Sequence, residues 1–131
     1  MTAVLFSIKP KYVEAMERKE KQYEFRRTIF DRNRIDRVII YSTSPVKMIT
    51  ATFRVGSVVE ASPSELWMRF GDVSGLSREE FFQYYDGKAV GFAIEIEDFK
   101  QLEKPIDPYQ DSSFKPPQSF QYVEMEDYYS G

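Results

Sequence analysis

The segment Met48–Val59 restricts the fold most: Ile49, Ala51, Phe53 and Val55 alternate with Thr50, Thr52 and Arg54. A period of two cannot place one apolar face on a helix, so this stretch predicts a long half-buried strand. Gly56 breaks the alternation and predicts a bulge, a device by which a long strand bends. Such a strand needs partners, and four other segments qualify. Ala3–Ile8 is almost wholly apolar and reads as a buried strand. Gln22–Arg27 sets Tyr23 and Phe25 on one face against Gln22, Glu24 and Arg26 on the other. Val38-Ile39-Ile40-Tyr41 forms the heart of Arg37–Ser42, which stops at Ser44-Pro45. Lys88–Phe99 alternates Val90, Phe92, Ile94 and Ile96 with Glu95 and Glu97.

Helical signals are short and sit between these strands. Pro10 suits the first turn of a helix that would run to Lys19, with Tyr12, Val13 and Met16 on its apolar face. Ser62-Pro63-Ser64-Glu65 and Ser77-Arg78-Glu79-Glu80 each have the spacing of a capping box. Strands and helices mix without βαβ regularity. This predicts an α+β domain, a small mixed β-barrel with short helices packed at its rim. With 131 residues the chain supports one core. Residues 1–106 are expected to form the body. Residues 107–131 are expected to be a proline-containing extension packed on the barrel, with an acidic, frayed end over Glu124–Gly131.

The chain has neither cysteine nor histidine. Disulfides, thiol nucleophiles, imidazole catalysis and zinc sites of the usual ligand types are thereby excluded, and no metal or cofactor is expected. Any catalysis would rest on Lys, carboxylates, Tyr or hydroxyl groups. The net charge of −3 argues against indiscriminate binding to long polyanions. Residues 1–50, however, carry 11 Lys and Arg against 6 Asp and Glu, so the acidic excess lies in the rest of the chain. A basic front half can meet a short polyanion. No stretch approaches the roughly 18 apolar residues of a membrane span, and Lys9 interrupts the apolar start too early for a signal peptide. A cytoplasmic protein without membrane contact is expected.

Four polar clusters flank the strands: Lys9 after the first; Lys21, Glu24 and Arg26 at the second; Tyr41-Ser42-Thr43-Ser44 at the end of the third; and Pro116-Pro117-Gln118-Ser119-Phe120 in the tail. A nucleoside needs donors and acceptors for its base edge, an aromatic surface and a cation for phosphate, and these segments supply all three. Each also has a plainer role open to it. Lys21 and Glu24 suit a solvated surface, Glu24–Arg26 suits a same-face ion pair, and the Tyr-Ser-Thr-Ser run suits a turn. In an ideal strand Lys21 does not share the face of Glu24 and Arg26. Trp67, Phe70, Phe81, Phe82, Tyr84 and Tyr85 are spaced as core residues of helices.

The ordered set Ser7-Ile8-Lys9-Pro10, Lys21-x-x-Glu24-x-Arg26 and Tyr41-Ser42-Thr43-Ser44-Pro45 resembles the ASCH domain over roughly residues 3–106. Lys21, Glu24 and Arg26 match that family's Gly-x-Lys-x-x-Glu-x-Arg signature, with Lys19 where Gly is usual. The resemblance implies a PUA-like β-barrel with these residues lining a cleft, and a role near RNA. The expected ligand is RNA or a modified nucleoside, held by Lys9, Lys21, Glu24, Arg26, Tyr41, Ser42 and Thr43. One branch of the family hydrolyses N4-acetylcytidine with a Lys and a Thr three residues later; here Glu24 replaces that Thr. A hydrolase would therefore rest on Lys21 and Glu24, and single-strand RNA cleavage on Lys9, Lys21 and Tyr41. A third alternative is a protein-interaction domain using the acidic tail. The sequence leaves the oligomeric state open.

Overall fold

A computed structural model describes residues 1–128. Its elements are β1 (Thr2–Ile8), α1 (Pro10–Glu17), β2 (Tyr23–Arg26), β3 (Arg37–Ser42), β4 (Met48–Ala61), α2 (Pro63–Phe70), α3 (Arg78–Tyr84), β5 (Gly91–Ile106) and β6 (Phe120–Glu124). The strands form one six-stranded mixed sheet in the order β2-β5-β4-β3-β1-β6. Only β1 and β3 run parallel, which the intervening α1 and β2 make possible. β4 and β5 are long enough to bend: their register slips between Val55 and Val58, where Gly56 lies, and at two further places.

Alternating side chains divide the apolar residues among three packed regions. Val4, Phe6, Val38, Ile40 and Phe53 turn inward beneath Val13 and Met16 of α1. Phe25 and Ala93 carry α2 and α3 through Leu66, Phe70, Phe81 and Tyr85. Leu5, Ile39, Tyr41 and Ile49 face the other way and are covered by Phe114, Val123, Met125 and Tyr128 from the C-terminal segment. β1 is therefore buried on both faces, as its nearly continuous apolar run requires.

The α+β architecture with helices at the sheet's periphery is as the sequence implies, but backbone pairing does not close the sheet into a barrel. β2 and β6 are its two edges, and no ladder joins them among the described residues. Side chains cross the gap instead. The Arg26 guanidinium of β2 donates to the Ser7 carbonyl of β1 at 3.4 Å and to the Ser119 carbonyl before β6 at 3.2 Å. β2 has only four residues, and the space beside its free edge is a cavity.

As far as it is described, the acidic end is in contact with the body. β6 pairs antiparallel with β1, and the terminal ammonium of Met1 bonds Glu126 at 2.6 Å and Glu124 at 3.3 Å. Residues 129–131 lie outside the described residues. Val90 precedes β5 and is exposed, since the turn at Gly87 runs on to Gly91 before pairing begins. No helix among the described residues is long and apolar enough to cross a membrane.

Candidate functional site

The cleft is built around the start of β2. After α1 the chain turns sharply at Lys19, whose φ of +62° is left-handed. A non-glycine residue bears a cost of about 1 kcal/mol there, which accounts physically for the glycine usual at this position of the signature. The turn lets Lys21 form an antiparallel bridge with Ser74 instead of following the alternation of β2. The loop carrying Ser74 closes tightly over it: Gly75 has φ of +73°, and a Cβ there would lie 2.8 Å from the Cβ of Lys21. By this route Lys21 joins Glu24 and Arg26, although an ideal strand would separate them.

The three charges form one buried chain, only 2, 7 and 8 % exposed for Lys21, Glu24 and Arg26. Lys21 Nζ donates to the Ser74 carbonyl at 2.8 Å and lies 3.4 Å from Glu24 Oε1. Glu24 Oε2 forms an ion pair with Arg26 Nη2 at 2.9 Å. The Arg26 guanidinium also stacks 4.1 Å from the centre of the Phe6 ring, while its Nε–H has no partner among the described residues. Burial pulls the Lys21 ammonium below the ordinary lysine range; the adjacent Glu24 carboxylate opposes this without overcoming it. Of the three N–H donors of the ammonium, Ser74 accepts one, and Glu24 faces the charge as an ion pair.

These groups line a cavity of about 530 Å³. β1 contributes its end, Ser7 and Ile8, with Lys9 beyond; α1 contributes Tyr12; α3 contributes Glu80, Gln83 and Tyr84. Gln118 reaches in from the tail, which is fastened by a bond from Ser7 Oγ to the Pro117 carbonyl at 2.8 Å. At the rim, Tyr12 donates its hydroxyl to Glu80 at 2.9 Å and Lys11 its ammonium at 2.8 Å. The Lys11 ammonium, aided by the Ser77 N–H of the helix cap, holds the Glu80 carboxyl down to about 2. Partial burial pushes the Tyr84 phenol up. Lys9, Lys21 and Arg26 against Glu24 and Glu80 leave the wall with a single excess positive charge.

Lys9, Lys21, Glu24 and Arg26 thus meet in one place. Tyr41, Ser42 and Thr43 do not line the cavity. In β3 Tyr41 shares the outward parity of Ile39, so its ring packs under the tail and its hydroxyl lies 2.7 Å from that of Tyr109. Ser42 Oγ is bonded to Thr50 Oγ1 at 2.6 Å, and Thr43 gives its N–H to the Ile8 carbonyl at 3.0 Å. Beside Phe25 of β2, the aromatic groups of the cleft are Tyr12 and Tyr84. Both sit in helical patterns that read as core, and only the three-dimensional approach of α1 and α3 to the edge of β2 distinguishes them. Glu80 was legible as a helix cap but not as a cleft residue. A second hollow of about 700 Å³ beside α1 shares Lys21 with this one but is otherwise bordered by solvated charges such as Glu17, Lys19 and Asp98 and lacks Glu24 and Arg26.

Comparison with known proteins agrees with this architecture. The family described as a domain of unknown function (DUF365) matches residues 1–114. The ASCH domain-containing ribonuclease of Zymomonas mobilis subsp. mobilis is 28% identical over 127 residues, covering 94% of this chain and 85% of that protein. The large ribosomal subunit protein uL22 of Ureaplasma parvum serovar 3 is 29% identical over 121 residues. That match covers 92% of this chain but 39% of the relative, so the chain spans well under half of that protein. The crystal structure of ASCH from Zymomonas mobilis superposes with a TM-score of 0.86 at 28% identity, covering 95% of this chain and 90% of that one. The chain belongs to the DUF365 family and is an ASCH domain protein of the PUA-like superfamily.

Proposed function

We propose that the cleft binds single-stranded RNA or a nucleoside-like part of it. The observation that carries this reading is the Lys21–Glu24–Arg26 array, about nine-tenths buried and yet on the wall of a cavity. Burying three charges is costly and is a weak source of stability, so their convergence on a hollow points to recognition. The volume falls within the range of about 300–1,000 Å³ typical of small-ligand sites. One net positive charge suits a base with a single phosphate better than a highly charged anion. Lys9, exposed at the rim, is placed for that phosphate, and Tyr12 and Tyr84 offer aromatic surface. Similarity to an ASCH domain-containing ribonuclease supports the same reading. It calls for no cofactor and suits the cytoplasm. Residues 1–106 would be the binding body and 107–131 an extension that walls the cleft.

The test is titration of the isotope-labelled protein with nucleosides and short single-stranded RNAs. Signals of Lys21, Glu24 and Arg26 are expected to move, and Lys21→Met is expected to abolish binding without unfolding the chain. If none of these ligands moves any cleft signal, the reading fails.

A second reading, RNA hydrolysis, is favoured by the ribonuclease relative and by the lowered proton affinity of Lys21. A neutral Lys21 amine would accept the 2′-hydroxyl proton as that oxygen attacks phosphorus, and Lys9 would protonate the departing 5′-oxygen. Glu24 is a poor base, since cations engage both its oxygens. Labelled RNA that stays intact, or is cut equally well by Lys21→Ala, removes this second reading and leaves the first standing.

A further inference from the structure

β2 is an edge strand, so one side of its backbone has no sheet partner. Which residues turn to that side follows from the ladder. Tyr23 lies opposite Glu95 and Glu24 opposite Ile94, and the Ile96 N–H donates to the Gln22 carbonyl at 3.0 Å. In an antiparallel ladder this makes Tyr23 and Phe25 the residues whose peptide groups point away from β5, while those of Glu24 and Arg26 point toward it. Phe25 lines the cavity beside Lys21, Glu24 and Arg26. Its ring packs edge-on to Phe81 at 5.1 Å between ring centres and lies 5.2 Å from the Lys21 ammonium, while its outward peptide groups lie along the open edge. The register leaves its N–H and C=O outside the ladder with β5, and buried peptide groups are nearly always paired.

An open strand edge commonly accepts another strand. Here both ends of the opening are shut. Ser74 bridges Lys21 at one end, and Arg26 ties the gap to Ser7 and Ser119 at the other. The open edge between them is only the four residues of β2, short for pairing with an extended peptide. Each common nucleobase carries an adjacent donor and acceptor on its pairing edge, which complements one residue's N–H and C=O. We propose that the Phe25 peptide edge reads the base in this cleft, pairing with its Watson–Crick edge while Lys21 supplies a further donor. The ligand class is therefore a nucleobase with a free pairing edge, bound base-inward with its ribose and phosphate toward Lys9. This rests on the cleft being the binding site for RNA or a nucleoside.

The experiment uses the full-length, nitrogen-15-labelled chain with adenosine, cytidine, guanosine and uridine. Each is run beside its pairing-edge methylated counterpart: 1-methyladenosine, 3-methylcytidine, 1-methylguanosine and 3-methyluridine. The nucleoside that binds is expected to shift the Phe25 amide together with the Lys21 and Glu24 signals. Its methylated counterpart is expected to bind about tenfold more weakly or worse, as loss of a paired edge implies. Cleft signals that move without the Phe25 amide, or equal binding of the methylated form, would overturn the proposal while leaving the cleft's function intact. Absence of any cleft response to all eight compounds would overturn both.

Discussion

At the scale of single residues, Glu24 is the keystone of the buried charges because it is the one anion between two cations. Replacing it by Gln leaves Lys21 and Arg26 facing each other without compensation. Glu24→Gln is expected to cost about 3–5 kcal/mol in denaturant unfolding. Lys21→Met should cost less, because it removes a cation that burial already disfavours and leaves Glu24 paired with Arg26 at 2.9 Å. Lys21 also gives a pH signature. Its folded-state proton affinity is lowered by burial, so below the ordinary value of 10.5 the unfolded chain binds a proton that the folded chain releases. Stability therefore rises with pH over the window leading up to that value. Above about 10 the raised phenols of Tyr12 and Tyr84 act in the opposite sense, since the folded state retains their protons. Unfolding curves of wild type and Lys21→Met across the alkaline range check this: the rising contribution is expected only in the wild type. The sequence held the identity of the triad but not its convergence. Strand parity separates Lys21 from Glu24, and the left-handed turn at Lys19 that reunites them bears no glycine to announce it.

At the scale of elements, local chemistry was readable wherever the partners lie within a turn. Ser77 accepts from the Glu80 N–H at 3.1 Å and Glu80 from the Ser77 N–H at 2.9 Å, so the full capping box exists. The other candidate is half made: Ser62 accepts from the Glu65 N–H, without the reciprocal bond. α1 ends at Glu17, short of Lys19, because the chain must turn to deliver Lys21. Cap strength bears on function, since α3 carries Glu80 and Tyr84 to the cleft. Ser77→Ala is expected to lower stability by about 1 kcal/mol in thermal or chemical unfolding. Nucleoside binding should weaken with it, because a frayed first turn loosens Glu80 from Tyr12 and Lys11. β6 was not readable. Phe120 packs with the inner core and Val123 with the outer one, so neither face of Phe120–Glu124 shows a clean apolar period. Its strand character comes from pairing with β1, more than a hundred residues away in sequence.

For the whole molecule, the decisive fact is that β1 and β3 are apolar on both faces, which demands two covering layers. The sequence declared that demand in Ala3–Ile8 and Val38–Tyr41, but it could not say which segment meets it on the outer side. The structure assigns that cover to the C-terminal segment through Phe114, Val123, Met125 and Tyr128. The same segment supplies the Ser119 carbonyl that helps Arg26 bridge the open sheet. A chain ending at Ile106 would therefore leave Leu5, Ile39, Tyr41 and Ile49, all now buried, with only Leu102 and Ile106 over them, and would leave β1 as a bare edge. Burying a large apolar side chain contributes about 1.5–3 kcal/mol, so four of them together rival the whole stability of about 5–15 kcal/mol expected for a domain. The truncated chain is expected to lose its cooperative unfolding transition and to self-associate through the open edge in sedimentation measurements. A truncated protein that stays monomeric and melts cooperatively at the wild-type temperature would make residues 107–131 an appendage. The second face of β1 would then need no cover, contrary to the burial on which the architecture depends.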